Sequence, residues 1–132
     1  MGKFLCECGH VIYDQTDFIP YKARLVPDQL TEKLFDGGAQ AIAKLIEAVK
    51  AGKRQEWIEQ TFPGGHAQNW SDAELIEEVM SSPFWRYHRE VFQCEQCGRL
   101  WVQTGSANKF ASFLPEGPDG RNMLAAGADG VA

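Results

Sequence analysis

Two hydrophobic patterns alternate along the chain, and each predicts its own kind of element. Lys3-Phe4-Leu5 and Val11-Ile12-Tyr13 are β-branched and aromatic runs on either side of Cys6-Glu7-Cys8-Gly9-His10. Far downstream, Val91-Phe92-Gln93 and Leu100-Trp101-Val102 flank Cys94-Glu95-Gln96-Cys97-Gly98-Arg99 in the same way. Strand-like runs broken by a short cysteine-containing turn predict two β-hairpins with cysteines at their tips. Residues 109–114 add one more strand-like run. Residues 14–27, with Pro20 and Pro27, read as loop with one short strand.

Between the hairpins the period changes from two to about 3.6. Asp28 follows a proline and predicts a helix cap ahead of Leu30, Leu34 and Phe35, and Gly37-Gly38 predicts a break or bend. Ile42, Leu45, Ile46 and Val49 then recur at i, i+3, i+4 and i+7, with Lys44, Glu47 and Lys50 outside the stripe and Gly52 as the stop. Residues 55–60, with Trp57 and Ile58, predict a short helix closed by Phe62-Pro63-Gly64-Gly65. Ser71 and Glu74 have the spacing of a capping box, and Trp70 and Leu75 that of a hydrophobic staple. Leu75, Ile76, Val79 and Met80 form the buried face expected of the helix they start, and Pro83 predicts its exit. From 85 to 93 the residues alternate like a strand. The fold class expected is α+β: antiparallel hairpins with an inserted helical unit at about 28–83, in a single domain over 1–115, followed by a flexible tail at 116–132.

Composition adds limits. At 132 residues and 44% apolar content the chain can bury a real core without a metal or disulfides. No apolar run approaches a membrane span. Charged and turn residues come too early for a signal peptide, and Cys6 stands where a myristoylation signal needs Ser or Thr. The expected location is the cytoplasm, with no membrane partner.

The four cysteines carry the strongest chemical signal. A tetrahedral zinc ion takes four thiolates at about 2.3 Å, and a close pair lets one turn supply two of them. Glycine after each second cysteine tolerates positive φ and lets backbone N–H groups turn toward the sulfurs. Cys6, Cys8, Cys94 and Cys97 are therefore the expected ligands of one structural zinc. Iron in the same shell is not separated from zinc by spacing. Disulfides would need an oxidising compartment, and a redox Cys-x-x-Cys normally opens a helix rather than joining two strands. Cys-x-Cys-Gly and Cys-x-x-Cys-Gly, each between strands, resemble the two zinc knuckles of a zinc ribbon, over residues 3–13 and 90–103. The first knuckle is one residue shorter than the usual form. The resemblance implies a fold element found in transcription, translation, repair and protein-interaction factors, not one task.

The charge is unevenly spread. The chain has 13 basic and 18 acidic side chains, and residues 28–83 hold five basic and ten acidic ones, so the net charge of −5 belongs to the helical insert. Asp72, Glu74, Glu77 and Glu78 cluster at the start of one helix. Acids there favour the helix dipole, and the same cluster is the expected docking face for a basic protein partner. Lys50, Lys53, Arg54, Arg86 and Arg89, interleaved with aromatics, are the alternative contacts for nucleic acid, which a net acidic chain makes the weaker reading. His10 follows a knuckle whose ligand shell four cysteines already complete, and His66 lies in a Gly-Gly-His turn. His88-Arg89-Glu90 echoes the H-x-E of zinc deaminases, but Glu90 is too near Cys94 and the Pro-Cys element is missing. No metalloprotease, phosphate-loop, dinucleotide or serine-elbow motif is present. The expectation is a non-catalytic zinc protein that engages a protein partner, such as an immunity protein or antitoxin blocking a basic toxin. The rivals are a zinc-ribbon accessory factor on nucleic acid and, more remotely, a small zinc enzyme.

Overall fold

A computed structural model of the chain describes residues 2–105 and 107–127. The fold is α+β, with three α-helices and two antiparallel sheets. The chain divides into two compact units, Met1–Leu25 with Arg89–Ala132, and Val26–His88.

In the first unit, β1 (Gly2–Leu5) and β2 (Val11–Asp14) form the first cysteine hairpin as a two-stranded sheet. The second sheet has the order β3-β4-β5-β6, from β3 (Lys22–Leu25), β4 (Arg89–Gln93), β5 (Leu100–Gln103) and β6 (Phe110–Phe113). The second cysteine hairpin is its centre. The short strand expected before Pro27 is β3, and the run at 109–114 supplies β6. Alternation along the strands brings Phe4, Ile12, Phe92, Trp101 and Phe110 into one core with Cys6 and Cys94. Phe4 stands edge-on to Phe92 and Trp101, with ring centroids 5.4 and 5.5 Å away, and stacks on Phe110 at 5.9 Å. Lys22 closes the edge of this core: its Nζ lies 2.7 Å from Asp14, 3.6 Å from Glu90 and 5.1 Å from the centre of the Phe92 ring.

The second unit holds α1 (Asp28–Lys50), α2 (Arg54–Thr61) and α3 (Asp72–Tyr87). Its core is Leu45, Ile58, Ala67 and Leu75, with Trp57, Phe62, Trp70 and Ile76 packed against it. Helix α1 ends in a Schellman motif: Gly52, at φ 71°, donates to the Val49 carbonyl and Lys53 to the Ala48 carbonyl. The capping box of α3 is present in full, with Glu74 N–H donating to Ser71 Oγ and Ser71 N–H to Glu74 Oε2.

Several local expectations are overturned here. Gly37-Gly38 does not break α1, which runs unbroken for 23 residues. A methyl group on Gly38 would lie 3.8 Å from Met80 Cα, and one on Gly37 would lie 3.4 Å from Pro83 Cγ. Both distances are ordinary van der Waals contact, so the glycines lie where α1 packs on α3, and that packing offsets their poor helix propensity. Pro83 likewise does not end α3, which continues to Tyr87, so the strand expected from position 85 begins only at Arg89. The carbonyl deprived of a donor by Pro83 is a local cost, and the contact of the ring with Gly37 opposes it. Asp28 is the first helical residue and not the cap, a place taken by Pro27. The apolar stripes are only half buried: Ile46, Val49 and Met80 are exposed. No described helix is long and apolar enough to cross a membrane.

Candidate metal centre

Each cysteine pair sits on a turn closed by two backbone hydrogen bonds. In the first, Cys6 N–H donates to the His10 carbonyl at 2.9 Å and Gly9 N–H to the Cys6 carbonyl at 2.9 Å. In the second, Cys94 N–H donates to the Arg99 carbonyl at 2.9 Å and Gly98 N–H to the Cys94 carbonyl at 2.8 Å. The pattern is the same, with one residue fewer inside the first turn. Both glycines after the cysteines are left-handed, at φ 97° for Gly9 and 80° for Gly98, as their positions predict. The shorter spacing of the first knuckle is therefore absorbed by a tighter turn.

The four sulfurs converge, all within 4.8 Å of one another. Cys6 Sγ lies 3.6 Å from Cys97 Sγ, and Cys8 Sγ lies 3.5 Å from Cys94 Sγ, and both of these contacts cross between the knuckles. A tetrahedron with metal–sulfur distances of about 2.3 Å has edges of about 3.8 Å, whereas a disulfide needs about 2.05 Å. The donor set can hold a metal ion. Cys6 and Cys94 are buried in the core, Cys97 is half-buried and Cys8 is exposed.

The surroundings favour negative sulfur unevenly. Burial would raise the Cys6 thiol, but the Cys8 N–H, the Trp101 indole N–H and the thiols of Cys97 and Cys94 outweigh it and bring the group down to about 7. The Trp101 Nε1 atom is buried and has no conventional hydrogen-bond partner, so the Cys6 sulfur is the acceptor it can serve. Burial pushes the Cys94 thiol up to about 12, against the N–H groups of Cys97 and Gln96. Burial also raises Cys97, opposed by the Arg99 N–H. The environment thus favours the thiolate at Cys6 and the protonated thiol at Cys94, and metal binding would have to displace the latter proton.

A supporting layer surrounds the sulfurs, and the sequence carried no signal for most of it. Gln93 is 2% exposed. Its Nε2 donates to the Gly98 carbonyl at 3.0 Å and to the Gly120 carbonyl, while its Oε1 accepts from Met123 N–H at 3.0 Å. Arg121 Nη2 donates to the Gln96 carbonyl at 2.7 Å. The stretch from Gly117 to Met123, with its 3-10 turn Pro118–Gly120, is thereby tied to the second knuckle, within the region expected to be a free tail. The last residues of that expected tail, 128–132, lie outside the described residues. Arg99 joins the two knuckles by an ion pair with Glu7 at 3.1 Å and also donates to Ser112 Oγ. Only alternation and position set Trp101, Arg99 and Gln93 apart in the sequence.

The other residues singled out in the sequence lie elsewhere. His10 is not among the clustered sulfur ligands. His66 is exposed beside Phe62 and Trp70. His88 caps the end of α3, its Nδ1 lying 2.9 Å from the Trp85 carbonyl. Of the four acids, Asp72 pairs with Arg54 at 3.0 Å and Glu74 serves the capping box, which leaves Glu77 and Glu78 exposed on α3 without an ion pair among the described residues. Of the five cations, Arg54 is engaged by Asp72 and by the Trp70 carbonyl. Lys50 and Lys53 are exposed near the junction of α1 and α2, Arg86 is exposed near the end of α3, and Arg89 lies on β4 in the other unit.

No curated protein and no solved structure matches the chain. A family model does match, over residues 2–117, a span that contains both knuckles and the helical unit between them. The chain belongs to the family described as a domain of unknown function, DUF8617.

Proposed function

We propose that this is a non-catalytic zinc protein in which a four-cysteine zinc site clamps the β unit while the helical unit docks a basic protein partner. Four thiolates around zinc complete a tetrahedral shell and leave no position for substrate, which is the arrangement of a structural metal. The observation that carries the docking reading is the outer face of α3. Ala73, Ile76, Met80 and Phe84 recur at helical spacing in one shallow apolar depression, with Glu77, Ser81 and Trp85 on its margin. Met80 and Trp85 are 53% and 52% exposed. An exposed stripe of methionine and aromatic residues, with the carboxylate of Glu77 beside it, is the chemistry that receives an amphipathic helix with basic flanks. Methionine adapts to irregular partners, and the acids favour encounter with a cationic one. An acidic inhibitor of a basic toxin, in the manner of an immunity protein or antitoxin, is the most concrete form of this reading.

The metal half is tested by elemental analysis of protein purified without added metal, expected to return one zinc per chain. The docking half is tested by titrating labelled protein with a designed amphipathic helix flanked by lysines, and with its glutamate-flanked counterpart. The lysine-flanked peptide is expected to shift Ile76, Met80 and Phe84 saturably, and Met80→Asp to abolish the shifts. Equal binding of both peptides, or no shifts on α3, refutes the docking face.

A further inference from the structure

The helical unit contains a second recess, chemically unlike the apolar stripe. Between the three helices lies a cavity of about 540 Å³, within the usual size range of small-ligand pockets. Small residues shape one side: Gly37 and Ala41 of α1 face Pro83 of α3, where side-chain volume is missing beside the close helix approach. Two cations line the same cavity, Lys33 of α1 and Arg86 of α3. Both are exposed, and neither has an ion-pair partner among the described residues.

Their placement follows from the register of the helices. Gly37 lies against Pro83 and Gly38 against Met80, so the sequence numbers run in opposite directions along α1 and α3. Continuing that antiparallel register by one turn brings Lys33 level with Arg86 and Tyr87. Glu78 lines the cavity too, eight positions before Arg86 on the same helix. At 1.5 Å rise per residue that places it about 12 Å along the axis from the cationic end. The recess thus has one end with two positive charges and a phenol, an apolar middle at Pro83 and Val79, and a carboxylate at the far end.

We infer that this recess binds a small organic monocarboxylate with an apolar body, its carboxylate held by Lys33 and Arg86. The guanidinium offers paired donors to a carboxylate, and the ammonium adds a second charge. The apolar middle of the recess favours a ligand with an apolar body over a compact, strongly hydrated dianion such as phosphate. The site is separate from the metal centre and does not depend on the docking stripe.

The test is a chemical-shift titration of the full chain with benzoate, with uncharged benzamide and with inorganic phosphate. Benzoate is expected to shift Ala41, Val79 and Tyr87 saturably and more tightly than phosphate, with benzamide inert. Lys33→Gln and Arg86→Gln are each expected to weaken benzoate about tenfold, as loss of a charge-assisted hydrogen bond does. Both residues are exposed, so the helical circular dichroism signal should stay unchanged in the variants. Benzamide binding as well as benzoate, phosphate binding more tightly, unchanged affinity in the double variant, or no saturable shifts in the recess would each overturn the site.

Discussion

At the scale of single residues, the two knuckle glycines are alike in backbone and unlike in surroundings. Both require left-handed φ, a conformation that costs a side-chain-bearing residue about 1–2 kcal/mol. A Cβ on Gly9 would meet nothing within 4 Å, whereas one on Gly98 would lie 3.2 Å from Arg121 Cα and Cγ. Gly9→Ala is therefore expected to lose only the conformational term, and Gly98→Ala to lower the melting temperature further by displacing Arg121 from the second knuckle. Equal losses in thermal melts of the zinc-loaded protein would show that Arg121 gives way freely. The thiols make a second prediction. Burial holds Cys94 protonated up to about 12, well above the value near 8.5 of a free thiol. A raised native value stabilises fully below the unfolded value and is lost as pH climbs toward the native one. The lowered value of Cys6, about 7, acts in the opposite sense and is lost as pH falls through it. Metal-free protein is expected to melt earlier at pH 10 than at pH 8, and zinc-loaded protein to weaken instead in acid, where protons compete for the thiolates. A metal-free melting temperature that stays flat above pH 8.5 would contradict the burial argument for Cys94.

At the scale of elements, the contact of α1 with α3 decides what the glycines of α1 do. The 3.8 Å between a Gly38 methyl and Met80 Cα is ordinary van der Waals contact. Alanine fits there and removes an unfavourable helix propensity of about 1 kcal/mol. Gly38→Ala is expected to raise stability by about 0.5–1 kcal/mol, while Gly38→Leu forces the helices apart and destabilises by about 1–3 kcal/mol. Chemical denaturation of both variants checks the pair. Destabilisation by alanine would refute room for a methyl group between the two helices. The same contact explains why α3 passes through Pro83, since ring packing against Gly37 rewards a helix that local rules would end.

At the scale of the whole molecule, a metal held by the four cysteines would join segments that the sequence separates widely. Structural zinc sites contribute on the order of 10–16 kcal/mol of binding free energy. Cys94→Ser is expected to lose stoichiometric zinc and, with it, the native fluorescence of Trp101, which shares its core with Cys6 and Cys94. Retention of zinc and melting temperature by that variant would refute a centre built from all four cysteines.

How far the fold was legible depended on how local its cause was. The capping box of α3, the cysteine turns with their left-handed glycines, and the short strands at Lys22–Leu25 and Phe110–Phe113 follow from spacing, and each forms as the spacing predicts. The grouping of Cys6, Cys8, Cys94 and Cys97 was legible for the same reason, because thiolate chemistry restricts what two close pairs can share. The rest arises from contacts between distant segments. Gly37-Gly38 and Pro83 look like breaks until each meets the opposite helix. Gln93 looks like one more strand residue until its amide bridges Gly98, Gly120 and Met123. The order β3-β4-β5-β6, the crossed sulfur pairs and the exposure of Met80 likewise depend on which surfaces meet. The sequence by itself determined the α+β class, the turns and the grouping of the four cysteines, because those rest on periodicity, capping and donor chemistry within a few residues. Tertiary structure alone decided where helices continue, which apolar faces remain open and which groups support the sulfurs, because each depends on a partner far away in the chain.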